Sequence, residues 1–205
     1  MNQTTHITKE HLHKTTNQYI NSRKLRSFIF PLAAKRIHKN VISNVRTNDF
    51  HIVAIREEED SPQFFYTIGL YYHYQHPELM IMGVDVNLAY DIFWRVHALI
   101  KSGGSIQPWT NLPTDMTQTP MISVPIDANN YTKFLGTGMW FYRSLGHSRP
   151  DTFPAIQLVW PDVWNKIYPW EAGYDKGFFD AQTVLCSDQA LKEALESSAS
   201  GESEF

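Results

Sequence analysis

The chain has 205 residues and one cysteine, Cys186, so it cannot close a disulfide on itself. Nothing in it therefore argues for an oxidising compartment. Cys186 follows Val184-Leu185 in an apolar stretch and lacks the neighbouring base that a thiolate nucleophile needs. No run of about 18 apolar residues occurs, which leaves no candidate membrane-spanning helix. The first 27 residues contain no apolar core of a secretory leader, so a cytoplasmic location is expected. A glycine-rich phosphate loop is missing: Gly136-Thr137-Gly138 falls inside a helical pattern with no strand before it, unlike a dinucleotide fingerprint. No Gly-x-Ser-x-Gly elbow and no internal repeat are found, and no cofactor is expected.

Acid is scarce at the start. Residues 1–46 carry nine Lys and Arg against Glu10 alone, a charge of +8, and the overall −3 leaves −11 for the rest. This segment reads as a basic N-terminal arm that docks on its own acidic domain or stays solvated. Nucleic-acid association through residues 1–46 and binding to an anionic membrane surface are the alternatives. Pro31 is expected to interrupt any helix across it. A single domain spans 47–186. Asp188 to about Ser198 reads as a short helix with Ala190, Leu191, Ala194 and Leu195 on one face. The acidic tail beyond it is expected to be disordered.

Hydrophobic residues make up 42% of the chain, enough for a real core. Aromatics reach 14%, six of them Trp, and large rings fill cores or line pockets. Phe50–Ile55 and Phe64–Leu70 read as strands of an antiparallel hairpin around the acidic turn Glu57–Asp60, with Gly69 marking a bulge or a close backbone approach. Residues 71–78 read as a loop, and Leu79–Val84 as a fully buried strand. A helix capped by Asp85 or Asn87 carries Leu88, Ile92, Phe93, Val96, Leu99 and Ile100 on one face and ends at Gly103-Gly104. Met121–Ile126 is a further strand. Asp127 opens a second helix through Tyr131, Phe134, Leu135, Met139, Tyr142 and Leu145, and Ala155–Trp160 is the last strand. The absence of a regular βαβα rhythm predicts an α+β fold, a mostly antiparallel sheet with two main helices packed on it.

Four motifs place polar groups where apolar segments end: Tyr66-Thr67-Ile68-Gly69-Leu70, His76-Pro77-Glu78-Leu79, Gln157-Leu158-Val159-Trp160-Pro161-Asp162, and Pro169-Trp170-Glu171. In this order and spacing they resemble the bacterial domain of unknown function 4262 family, over roughly residues 47–182. The resemblance implies a fold but no chemistry.

The motifs supply the candidate site. Carboxylates beside large rings are desolvated and their pKa rises, so His76, Glu78 and Glu171 are candidate acid–base residues. Tyr66, Thr67, Arg143, Trp160, Asp162 and Trp170 are candidate ligand contacts, Arg143 within the aromatic–cationic run Trp140-Phe141-Tyr142-Arg143. Ion pairs to Arg95, Arg143 or Arg149 are the competing use of the carboxylates. His73, His76 and Glu78 have the residue types of a metal set, but Pro77 makes their segment extended rather than helical. There, His76 can instead bond a loop and Glu78 can cap a backbone turn. Two function classes follow. One is a pocket for a small polar ligand with hydrolase-like acid–base chemistry. The other is a protein-interaction module, an immunity or regulatory protein without catalysis.

Overall fold

The computed structural model describes residues 30–58, 61–147, 153–178 and 181–201. Residues 1–29, the larger part of the expected basic arm, and 202–205, the end of the expected tail, lie outside them. Among the described residues the chain is α+β, with a six-stranded sheet and seven α-helices. Strands β1 (His51–Ile55), β2 (Phe64–Ile68), β3 (Glu78–Met82), β4 (Asn111–Leu112), β5 (Met121–Pro125) and β6 (Ala155–Val159) lie in the order β1-β2-β3-β6-β5-β4. All neighbours are antiparallel except β3 and β6.

Both faces of the sheet are covered. Successive side chains of a strand point to opposite faces. Ile52, Ala54, Phe65, Leu79, Ile81, Ile156 and Leu158 therefore meet one layer, built on helix α3 (Val86–Lys101). Val53, Phe64, Tyr66, Ile68, Met80, Met82 and Ala155 meet the other. That second layer is made by α1 (Phe30–Asn48), α5 (Tyr131–Phe134) and α6 (Gly136–Ser144). Burial on both sides explains why Leu79–Met82 is a continuous apolar run rather than an alternating one.

Several elements differ from the sequence-based expectation. Pro31 is the second residue of α1 as described, a place where its missing N–H has no helical bond to make. The helix runs through the expected boundary at residue 46 and buries Val41 and Val45 in the core. Residues 71–78 are not all loop: Leu70–Tyr74 form a short helix, α2, closed by Gln75 at φ 54. The second long helix is broken. A 3-10 turn at Ala128–Asn130 leads into α5, Leu135 leaves helical geometry at φ −113 and ψ 27, and α6 restarts at Gly136. Glycines at 136 and 138 weaken helix propensity there. At Gly138, an added Cβ would lie 3.3 Å from the Phe153 ring. After a one-turn helix α4 (Thr114–Thr117) before β5, the last helix, α7, covers Asp188–Gly201 and so extends past its expected end. Asp85 caps α3 by accepting from the Asn87 amide at 2.8 Å.

Candidate functional site

Two of the motifs converge on Glu78. β2 ends at Ile68, and Gly69 turns the chain at φ 118, ψ −16, a conformation that favours glycine. An added Cβ there would also meet the Asp49 carbonyl at 2.8 Å. The turn aims backbone N–H groups at the first residue of β3. Glu78 Oε1 accepts from Gly69 N at 2.7 Å, from Tyr71 N at 3.2 Å and from the Tyr142 hydroxyl, and Oε2 accepts from Thr67 Oγ1 at 2.6 Å. Thr67 Oγ1 in turn accepts from Leu79 N at 2.8 Å, so its own hydrogen goes to the carboxylate. Glu78 is 1% exposed. Burial raises its pKa above the usual carboxylate range, and the four donors pull it only part of the way back. The Tyr142 proton stays on the phenol, held there by burial and by the adjacent carboxylate.

The remaining residues of this region are committed elsewhere. Ile106 N donates to His76 Nε2 at 2.9 Å, so the ring proton is on Nδ1, which donates to the Pro77 carbonyl at 2.7 Å. Both nitrogens are thus used, and burial lowers the pKa, keeping the ring neutral. His73 Nε2 donates to the Val45 carbonyl at 3.0 Å, at the end of α1. His73, His76 and Glu78 each serve a separate partner set. Among the described residues no three His, Cys, Asp or Glu side chains are grouped to hold a metal ion. Tyr66 is buried, its hydroxyl accepts from Thr137 N at 3.3 Å, and burial pushes its pKa up to about 12.

The other two motifs lie at the opposite end of the sheet. β3 and β6 are parallel, with Glu78 beside Ala155 and Ile81 beside Leu158. At about 3.3 Å per residue, the groups after Val159 are therefore more than 13 Å along the strands from Glu78. Trp160 confirms the direction, donating Nε1–H to the Met82 carbonyl at 2.9 Å. Gln157 clamps the returning chain, donating to the Thr183 carbonyl and accepting from Leu185 N. Asp162 is fully buried and Oδ1 accepts from Trp164 N at 2.9 Å and from Asn165 N, shaping the loop that follows. Its Oδ2 is buried with no hydrogen-bond partner among the described residues. Glu171 is exposed and accepts from Tyr168 N, while Trp170 stacks on Tyr168 with centroids 5.2 Å apart. The motif carboxylates thus bond backbone N–H groups rather than arginine. Arg95 pairs with Asp91 at 2.8 Å, and Arg149 lies outside the described residues.

Residues 44–175 match the family described as Domain of unknown function (DUF4262). The chain belongs to that family. No curated protein and no solved structure matches it. The DUF4262 region contains the Glu78 node, the Asp162 loop and a third cluster that the motifs do not signal. Asp49, at φ 69 just past α1, accepts through Oδ2 from Tyr74 OH at 2.7 Å and Lys101 Nζ at 2.8 Å. His97 Nε2 lies 3.3 Å from the same oxygen. Lys101 chiefly, then Tyr74 and His97, hold the Asp49 pKa down at about 2. The one available signal was an aspartate directly after Asn48, a pair suited to a left-handed helix end. Arg143 is exposed and, with Trp140, Met139 and Thr132, lines an open cleft of about 490 Å³.

Proposed function

We propose that this DUF4262 protein is a protein-interaction module of the immunity or regulatory kind, without acid–base catalysis of its own. The reading rests chiefly on Glu78. A general acid or base must reach a proton on a substrate, whereas this carboxylate is buried and accepts four hydrogen bonds from its own chain. The small-ligand alternative needs His76, Glu78, Asp162 and Glu171 around one cavity, and their separation along β3 and β6 counts against it.

The exposed surface supports the same reading. Trp164 is 77% exposed and Val163 beside it 51%, on a loop braced by the buried Asp162. Rigidly presented tryptophans are typical anchors of protein interfaces. The loop carries Lys166 and Lys176 as well as Glu171 and Asp175, so its own charge is balanced; the chain beyond residue 46 as a whole has a charge of −11, which favours a partner with a basic surface. The test compares thermal denaturation of the wild type and Glu78→Gln across a library of small polar metabolites. Glu78→Gln should melt lower than the wild type, and no compound should stabilise either protein. A compound that raises the wild-type Tm but not that of Glu78→Gln would overturn the reading.

A further inference from the structure

Opposite in sign to this acidic body is the face formed by α1 and α6. No Asp or Glu occurs from residue 11 to 48 or from 128 to 150, and these stretches include both helices. On α1, Arg36, Lys39, Ser43 and Arg46 are exposed at spacings of three, four and three residues, which makes one stripe. At 1.5 Å per residue the stripe is about 15 Å long. Arg143 is exposed on α6. Arg36, Lys39, Arg46 and Arg143 form no ion pair among the described residues. The helices are joined by rings: His38 stacks flat on Trp140, centroids 3.4 Å apart. On either side of that pair lies an open cleft, one of about 510 Å³ along His38, Lys39 and Arg46, the other the Arg143 cleft of about 490 Å³.

We propose that this face binds a single strand of nucleic acid, with phosphates on Arg36, Lys39, Arg46 and Arg143 and a base stacked in the cleft beside Trp140. The inference goes beyond the interaction-module reading and uses a different surface. Exposed cations without any interspersed carboxylate favour a polyanion over a mixed protein surface. Their arrangement beside an aromatic pair is the usual means of holding a strand without reading its sequence. One cleft is lined by His38 and the other by Trp140, the two stacked rings, so an extended chain can occupy both, where a compact anion would occupy one.

The test is fluorescence anisotropy of a labelled single strand of about 16 nucleotides with the full chain. Four phosphates neutralised on a single strand give a slope of about −3 in log K against log salt, so affinity should fall about 50-fold between about 50 and 200 mM salt. Lys39→Glu/Arg46→Glu/Arg143→Glu changes only exposed side chains and should keep the wild-type Tm while weakening binding by more than about tenfold. The milder Lys39→Gln/Arg143→Gln should weaken it in the same direction, which keeps the test open if the triple variant fails to fold. An abasic strand of equal length should bind about fivefold more weakly or worse, for the loss of one stacked base. No binding at about 50 mM salt overturns the proposal, as does binding unchanged in both charge variants, which would assign it to cations elsewhere. Equal binding of the abasic strand would reduce the face to a generic anion site and overturn the strand. Capture by phosphatidylserine vesicles with no strand bound would assign it to a membrane and do the same.

Discussion

Removing the Glu78 carboxylate should be among the most damaging single changes in this chain. Glu78→Ala leaves the Thr67 and Tyr142 hydroxyls and the Gly69 and Tyr71 amides without their acceptor, in a site that is 1% exposed. An orphaned buried donor costs about 1 kcal/mol or more, so the four together cost about 4–5 kcal/mol, in line with breaking a buried charged network. For a chain of this size that is about 10–15 °C in Tm. Glu78→Gln keeps Oε1 and its three donors. It places an amide N–H where Oε2 stood, facing Thr67 Oγ1, which already accepts from Leu79 N. Thr67 then loses the acceptor for its own hydrogen, and the remaining bonds lose charge assistance, so a cost of about 1–3 kcal/mol follows. Urea denaturation followed by tryptophan fluorescence measures both. Glu78→Ala within about 1 kcal/mol of the wild type would refute the reasoning, as would Glu78→Gln proving worse than Glu78→Ala.

Buried neutral histidine makes stability fall on mild acidification. His51 is buried, accepts from Asn44 Nδ2 at 2.9 Å, and has its pKa pushed down to about 4. The unfolded chain takes up that proton first, so stability should drop by up to about 3 kcal/mol as pH falls from 6.5 to 4, and His51→Gln should flatten this part of the pH profile. Asp49 acts at lower pH: its stabilisation is present above the unfolded pKa near 4 and is lost as pH falls towards 2. With one side open to solvent its worth is about 1 kcal/mol, and Asp49→Asn, which still suits a left-handed helix end, should remove that acid sensitivity in the same titration. Gly69→Ala should destabilise through both its φ of 118 and the Asp49 carbonyl, by more than about 1 kcal/mol, measured by the same denaturation. Val41→Ala with Val45→Ala should lower the Tm at a cost of about 2–4 kcal/mol, because both are core residues; an unchanged Tm would make α1 dispensable, as a separate arm would be.

The parts of the fold legible from sequence are those with local causes. β1 and β2 are β-branched and aromatic runs around an acidic turn, α3 repeats its apolar face from Leu88 to Ile100 and carries its cap at Asp85, and Leu79–Met82 is apolar throughout because the sheet is covered twice. The misread parts turn on distant contacts. The sequence of α1 reads as an arm because its exposed stripe is strongly basic, which outweighs the apolar Ile37, Val41 and Val45 that recur every fourth residue on its buried face. The sequence from Asp127 predicts one continuous helix because Tyr131, Phe134, Met139 and Tyr142 keep helical spacing across the break at Leu135.

The site was harder to read, for a physical reason. A glutamate among apolar residues is costly unless it is used or paired, and a sequence does not distinguish the two cases. The distinction lies in the donors, and for Glu78 two of the four are backbone amides created by the turn at Gly69, while a third comes from Tyr142, sixty-four positions further on. From sequence Thr67 stands beside Glu78 as a candidate ligand contact; in the structure its hydroxyl joins the carboxylate to Leu79 N. Asp162 and Glu171 follow the same logic at the other end of the sheet, each turning a carboxylate back onto nearby N–H groups. Groups spent in this way hold loops in place, and the surfaces those loops and helices present remain for binding. The exposed Trp164 beyond Asp162, and the exposed cations of α1 and α6 around the His38–Trp140 stack, are the surfaces on which the two proposals rest.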